Sequence, residues 1–161
     1  MYSRPSDHYD SGRKDDVKYI VIHSTEGTTL EGALHHLNKV GYSVHYIVDE
    51  HGGISQLVDE KNTAWHVGKI ANPFSIGIEI VGVSSKPGFI FNKEQYESAS
   101  LLSAYLINTY HLLPEKVAPH SYITKTNGGT THQDPGPNFD WKNFNQEMEK
   151  KLESDIVVIK K

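Results

Sequence analysis

Two short, β-branched apolar runs most constrain what this chain can fold into. Residues 17–22 read VKYIVI and residues 75–82 read SIGIEIVG. Neither approaches the roughly 18–20 residues of a membrane-spanning helix. Near-continuous apolar runs of this length are strands buried on both faces, which requires helices on both sides of a sheet. Helical spacing is indeed interleaved with them. Thr28 or Thr29 caps a helix carrying Leu30, Ala33, Leu34 and Leu37, and Gly41 ends it. Residues 43–49 and 54–58 read as strands around the turn Asp49-Glu50-His51-Gly52-Gly53. Asn92, with Gln95 three residues on, has the pattern of a capping box. The helix it opens runs to about His111, with Pro114 beyond its end. Residues 115–139 are rich in Gly, Pro, Thr and His and read as irregular, and Asp140 caps a last helix to about Leu152. The expectation is an α/β single domain, a central mixed β-sheet flanked by helices. Residues 1–16 form an irregular arm, residues 17–152 the domain, and residues 153–161 a short tail.

Composition narrows the function. At 161 residues the chain holds one domain with a real core. A net charge of −4 argues against nucleic acid as a partner, since sequence-blind binding needs a basic surface. With no cysteine, disulfides, thiolate zinc sites and cysteine nucleophiles are excluded. Any metal must be held by histidines and carboxylates, and the chain carries 10 histidines. No membrane span is read, and residues 1–16 hold no apolar leader.

Three places break the local pattern. His23 directly follows the first buried strand, at the kind of strand end where open α/β sheets place ligands; a histidine merely satisfied by hydrogen bonds there is the plainer reading. Glu79 interrupts the second run. Period-two alternation puts Ile76, Ile78 and Ile80 on one face and Glu79 on the other with Gly77 and Val81. A carboxylate in that position is costly unless it is paired with a cation or opens into a cavity. Desolvation would raise its pKa toward the range a general base needs. The third place is the segment from Pro119-His120 to Asp134-Pro135-Gly136-Pro137, where prolines stiffen the backbone around Asp134; an ordinary Asp-Pro-Gly turn is the alternative. Together His23, His120 and Asp134 supply two imidazoles and one carboxylate, a set that suits tetrahedral zinc with one open position. Their spacing is long-range and carries little alone. No H-E-x-x-H and no G-x-S-x-G occurs.

Six strings then share the order of one family. VIHST at 21–25, HYIVDEHGGISQLV at 45–58, AWHVG at 64–68, SIGIEIVG at 75–82, PHSYI at 119–123 and DPGPNFDW at 134–141 resemble the zinc N-acetylmuramoyl-L-alanine amidases, the type 2 amidase and peptidoglycan-recognition fold. The resemblance implies a zinc cleft on one face of the sheet, with His23, His120 and Asp134 as Zn2+ ligands. It places the family's acidic active-site residue on Glu79 and a tyrosine used by some members on Tyr46. His45, Trp65 and His66 fall on cleft-lining, substrate-binding positions, although Trp65 equally suits plain core. Many members carry a lysine two residues before the third ligand, where this chain has His132. That histidine is either the oxyanion's partner or a surface-loop residue. The implied reaction is hydrolysis of the amide between N-acetylmuramic acid and L-alanine in peptidoglycan or muropeptides. The alternative is a non-catalytic peptidoglycan-binding module of the same fold, but such modules characteristically lack the third ligand that Asp134 supplies here. The implied setting is the cell envelope or the secreted space rather than the cytoplasm. Oligomeric state is not legible.

Overall fold

A six-stranded mixed sheet forms the centre of the molecule. The computed structural model describes the backbone of residues 1–159 and the side chains of residues 1–154. The strands that position the site are β3 (Tyr19–Ser24), β4 (Tyr46–Val48), β7 (Ser75–Ile80) and β8 (Val117–Pro119). They lie side by side in the order β4, β7, β3, β8, all parallel. β5 (Ile54–Gln56) returns antiparallel to β4 through the expected turn. The helices are α1 (Leu30–Val40), α2 (Lys93–Tyr110), α3 (His120–Asn127) and α4 (Trp141–Ile159).

Alternation sorts the side chains between two layers. Ile20 and Ile22 of β3, Tyr46 and Val48 of β4, and Ile76, Ile78 and Ile80 of β7 pack on one face against α2 and α4. There they meet Tyr96, Ala99, Leu102, Leu106, Phe144 and Met148. Each aliphatic side chain buried in this layer contributes about 1.5–3 kcal/mol. The opposite face is covered at its two ends. α1 packs Ala33 with Ile47 and Val58, and α3 packs Ile123 with Val21, Val67 and Ala118. Between these patches the sheet presents His23 and Glu79, one residue beyond Val21-Ile22 and Ile78 respectively.

The local signals explain the helix ends. Thr29 accepts from the Gly32 amide and Gly41 closes α1 in the left-handed region at φ 72°. Asn92 and Gln95 form the reciprocal capping box. The Asp140 carboxylate accepts from the Asn143 amide at the start of α4. Two segments differ from expectation. The irregular arm contributes two short strands, β1 (Tyr2–Ser3) beside β5 and β2 (Tyr9–Asp10) beside β6 (Thr63–Ala64). Arg13 fastens the arm by donating to the carbonyls of Glu60, Pro73 and Ser75. The stretch expected to be irregular from residue 115 contains β8 and α3. α4 continues beyond Leu152 to Ile159, and residues 160–161 of the expected tail lie outside the described residues.

Candidate metal centre and active site

The site lies where the parallel strands end. His23 is the fifth residue of β3 and is 2 % exposed. Glu79 sits opposite it in register on β7, so the two side chains leave the same face of neighbouring strands. β8, on the other side of β3, ends at Pro119 and delivers His120 as the first residue of α3. Asp134 arrives from the following loop. That loop is tied to α3 by the Ser121 amide, which donates to the Asp134 carbonyl. It is tied to the loop after β7 by the Gly136 amide on Ser84 Oγ (2.7 Å) and the Asn138 side chain on the Ser84 carbonyl (2.8 Å). Ser84 in turn is fixed by Glu26, which also accepts from Ser24 Oγ (2.6 Å). Glu26 holds a positive φ of 51°, and its carboxylate binds three serines, Ser24 at the end of β3 and Ser84 and Ser85 in the loop after β7. Burial alone would raise its pKa, but those hydrogen bonds hold it below the usual value.

One ligand atom from each of His23, His120 and Asp134 lies within 4.8 Å of the other two. His23 Nδ1 is 3.1 Å from Asp134 Oδ2, and His120 Nδ1 is 3.1 Å from Asp134 Oδ1. The second contact does not meet hydrogen-bond geometry, so among the described residues His120 Nδ1 is enclosed with the Asp134 carboxylate beside it but no hydrogen bond. An enclosed nitrogen without a hydrogen bond, beside a carboxylate and a second imidazole, is the donor set of a divalent cation. Burial pushes the Asp134 carboxyl up, but the two histidines outweigh it and hold the group well below the carboxylate range. Burial lowers His120, in part offset by Asp134.

Glu79 differs from Asp134 in its partners and in the direction of its shift. Its Oε2 is enclosed and has no partner among the described residues. Burial, reinforced by the charges of Asp134 and Glu26, raises its pKa well above the ordinary value. One carboxylate is therefore kept ionised to bind while its neighbour is disposed to hold a proton, the division of labour that acid–base catalysis requires.

The other expected residues divide. His132 is near the cluster: its ring stacks on His120 with centroids 5.1 Å apart and planes within 9°, and its Nδ1 is 3.8 Å from Asp134 Oδ1. Its side chain is 64 % exposed, open to a bound substrate. Tyr46 is on the wrong side of the sheet. It pairs in register with Ile78, not Glu79, and so joins the α2 face, where its hydroxyl donates to Glu60. His45 is fully buried and lines no cleft. It accepts the Gly77 amide at Nδ1, and burial next to Arg13 lowers its pKa to about 3. Trp65 packs its ring near His8 of the arm, 6.2 Å between centroids. His66 is half-buried and stands against His23, with Nδ1 2.9 Å from His23 Nε2. Sequence reasoning missed Ser75, Thr130 and Glu26. Ser75 and Thr130 bond the outer nitrogens of His66 and His120. Small hydroxyl residues near a strand start or in a loop carry no distinguishing signal.

Comparison with known proteins decides the family. The sequence profile of the N-acetylmuramoyl-L-alanine amidases matches residues 13–137. The chain belongs to this amidase family. It is an amidohydrolase by that membership. It is 29% identical to the 1,6-anhydro-N-acetylmuramyl-L-alanine amidase AmpD of Salmonella typhimurium strain LT2, across 87% of this chain and 86% of the relative. It is 32% identical to the N-acetylmuramoyl-L-alanine amidase AmiD of Escherichia coli K12, across 81% of this chain and 53% of AmiD. The structure of E. coli AmiD with anhydro-N-acetylmuramic acid-L-Ala-D-gamma-Glu-L-Lys superposes with a TM-score of 0.70 at 27% identity, covering 89% of this chain and 60% of that one. Among the described residues no helix is long and apolar enough to cross a membrane.

Proposed function

We propose that this amidase holds zinc on His23, His120 and Asp134 and cleaves the amide that joins the lactyl group of N-acetylmuramic acid to L-alanine in muropeptides or cell-wall peptidoglycan. The observation that carries the reading is the enclosed Nδ1 of His120, without a hydrogen bond and facing Asp134 beside His23, with Glu79 in register on the next strand. His23, His120 and Asp134 would hold the zinc, which would supply Lewis acidity toward the scissile carbonyl and lower the pKa of water toward about 7. Glu79 takes the proton of the attacking water at a carboxylate oxygen and returns it to the departing amide nitrogen. Its buried setting suits both halves of that task, because a raised pKa makes the carboxylate a better proton acceptor for the first half and the carboxyl remains the donor for the second. His132, exposed and stacked on His120, donates a ring N–H to the oxygen on which negative charge develops. The setting that suits this substrate is the cell envelope or the secreted space.

The test is digestion of purified muropeptides and of intact sacculi, each with and without a chelator, read by mass spectrometry. Free stem peptides beginning with L-alanine, lost on chelation and restored by zinc, are expected. A protein that retains wall fragments but releases no peptide would refute the reading. The two substrates separate soluble fragments from intact wall.

A further inference from the structure

We propose that His66 is a positioning residue: through a hydrogen-bonded relay ending on the Ala71 carbonyl, it holds a proton on His23 Nε2 and so makes Nδ1 the metal-facing atom. The inference rests on the metal reading above and adds the element that orients one ligand.

The relay is read from its far end. The Ala71 carbonyl has no proton to give, so the hydroxyl of Ser75, 2.8 Å away, must donate to it. Ser75 has only that one proton. Its Oγ therefore accepts from His66 Nε2, 3.1 Å away. A neutral His66 with its proton on Nε2 has a lone pair on Nδ1. With a cation on Nδ1, the one proton of the His23 ring sits on Nε2, and only a neutral His66 can accept it. The lone pair faces His23 Nε2 at 2.9 Å, so the proton between them belongs to His23. What remains on His23 for a cation is Nδ1, which points at Asp134 Oδ2.

The opposite arrangement has a clear competitor. Asp134 is itself an acceptor 3.1 Å from His23 Nδ1 and would draw a proton to that atom. A proton on Nδ1 occupies the position that a metal needs. The relay works against this by requiring the Nε2 proton first. The backbone is shaped for it: a Cβ at Gly77 would fall 2.6 Å from His66 Nδ1 and 2.8 Å from its Cγ, so the ring fills the space that glycine leaves. His66 therefore occupies a slot built for it.

The test uses the full chain. Zinc affinity is measured by competition with a chromophoric chelator, and the proton on His23 by imidazole 15N–1H spectra of the zinc-loaded and metal-free proteins. His66→Ala should weaken zinc binding by about 10- to 100-fold, the usual effect of removing a partner of a metal-bound histidine. It should also expose the His23 Nε2 proton to rapid solvent exchange. His66→Asn, whose side-chain oxygen can stand near the lost Nδ1, should recover most of both. Ser75→Ala leaves His66 in place but frees its outer nitrogen, and should give a smaller loss in the same direction; it serves if His66→Ala does not fold. Unchanged zinc affinity and an unchanged His23 signal in the folded variants would overturn the relay. So would an Asn variant no better than Ala. A parent protein that binds no zinc overturns the metal reading instead, and the metal-free spectrum still reports where the His23 proton sits.

Discussion

Replacing Glu79 by glutamine should make the protein more stable and nearly inactive. The carboxylate has an enclosed oxygen without a partner and stands near two other acids. An ionised carboxylate buried without a partner costs about 1–3 kcal/mol more than a neutral amide of the same shape, because the amide has no charge to desolvate. Glu79→Gln removes the charge and keeps the shape, so the metal-free variant should gain about that much at pH 8. For a chain of this size each kcal/mol moves the melting temperature by about 2–4 °C, giving a rise of about 2–12 °C. The pH dependence follows from the direction of the shift. The folded-state pKa lies above the ordinary 4.5, so the folded protein binds this proton more tightly than the unfolded chain does. The resulting stability is fully present below about 4.5 and is lost as pH rises through the folded-state value. Glutamine has no such loss. The difference between variant and parent should therefore be large at pH 8 and shrink toward nothing at pH 4. Amidase turnover should fall by about 10²- to 10⁴-fold, the range for loss of a general acid–base group. Thermal melts of chelated protein at both pH values, with peptide release as the activity assay, decide it. Equal melting at pH 8, or turnover within tenfold of the parent, would refute the reasoning.

Three further outcomes are expected. His23→Ala should lose stoichiometric zinc, measured by elemental analysis, together with amidase activity; a zinc-loaded, active variant would contradict the ligand assignment. His132→Lys should keep activity at alkaline pH where the parent fades, because lysine stays cationic where imidazole does not, and superimposable pH–rate profiles would remove the cationic role. Gly77→Ala drives a Cβ into the His66 ring. It should cost about 1–3 kcal/mol, a fall of about 2–12 °C in melting temperature, and an unchanged melting curve would show that the slot has slack.

The elements with strong local chemistry were legible in the sequence. Thr29 and Gly41 bound α1, and Asn92 with Gln95 opens α2, because caps depend on neighbouring residues alone. Glu79 stood out because an acid in an apolar strand breaks a period-two pattern, and the structure puts it on the face that the pattern assigns. β8 and α3 were not legible. β8 has only three residues, and in α3 (HSYITKTN) Ile123 is the single buried aliphatic while Pro119 offers no side-chain cap. Their order comes from docking beside β3, a long-range effect. Tyr46 was misplaced for a related reason. A motif position says nothing about which face a strand residue takes, and register with Ile78 turns Tyr46 toward Glu60. The sequence also cannot show that the ring of His66 abuts His23.

His23 and Glu79 sit on neighbouring hydrogen-bonded strands, and that placement has a lasting consequence. The gap between the ligand and the acid is set by strand spacing, about 4.7–4.9 Å, a dimension of the sheet itself. Loops outside the segment that carries Asp134 can lengthen or change composition without altering it. Redesign for a new stem peptide should therefore begin in those loops and leave β3 and β7 untouched.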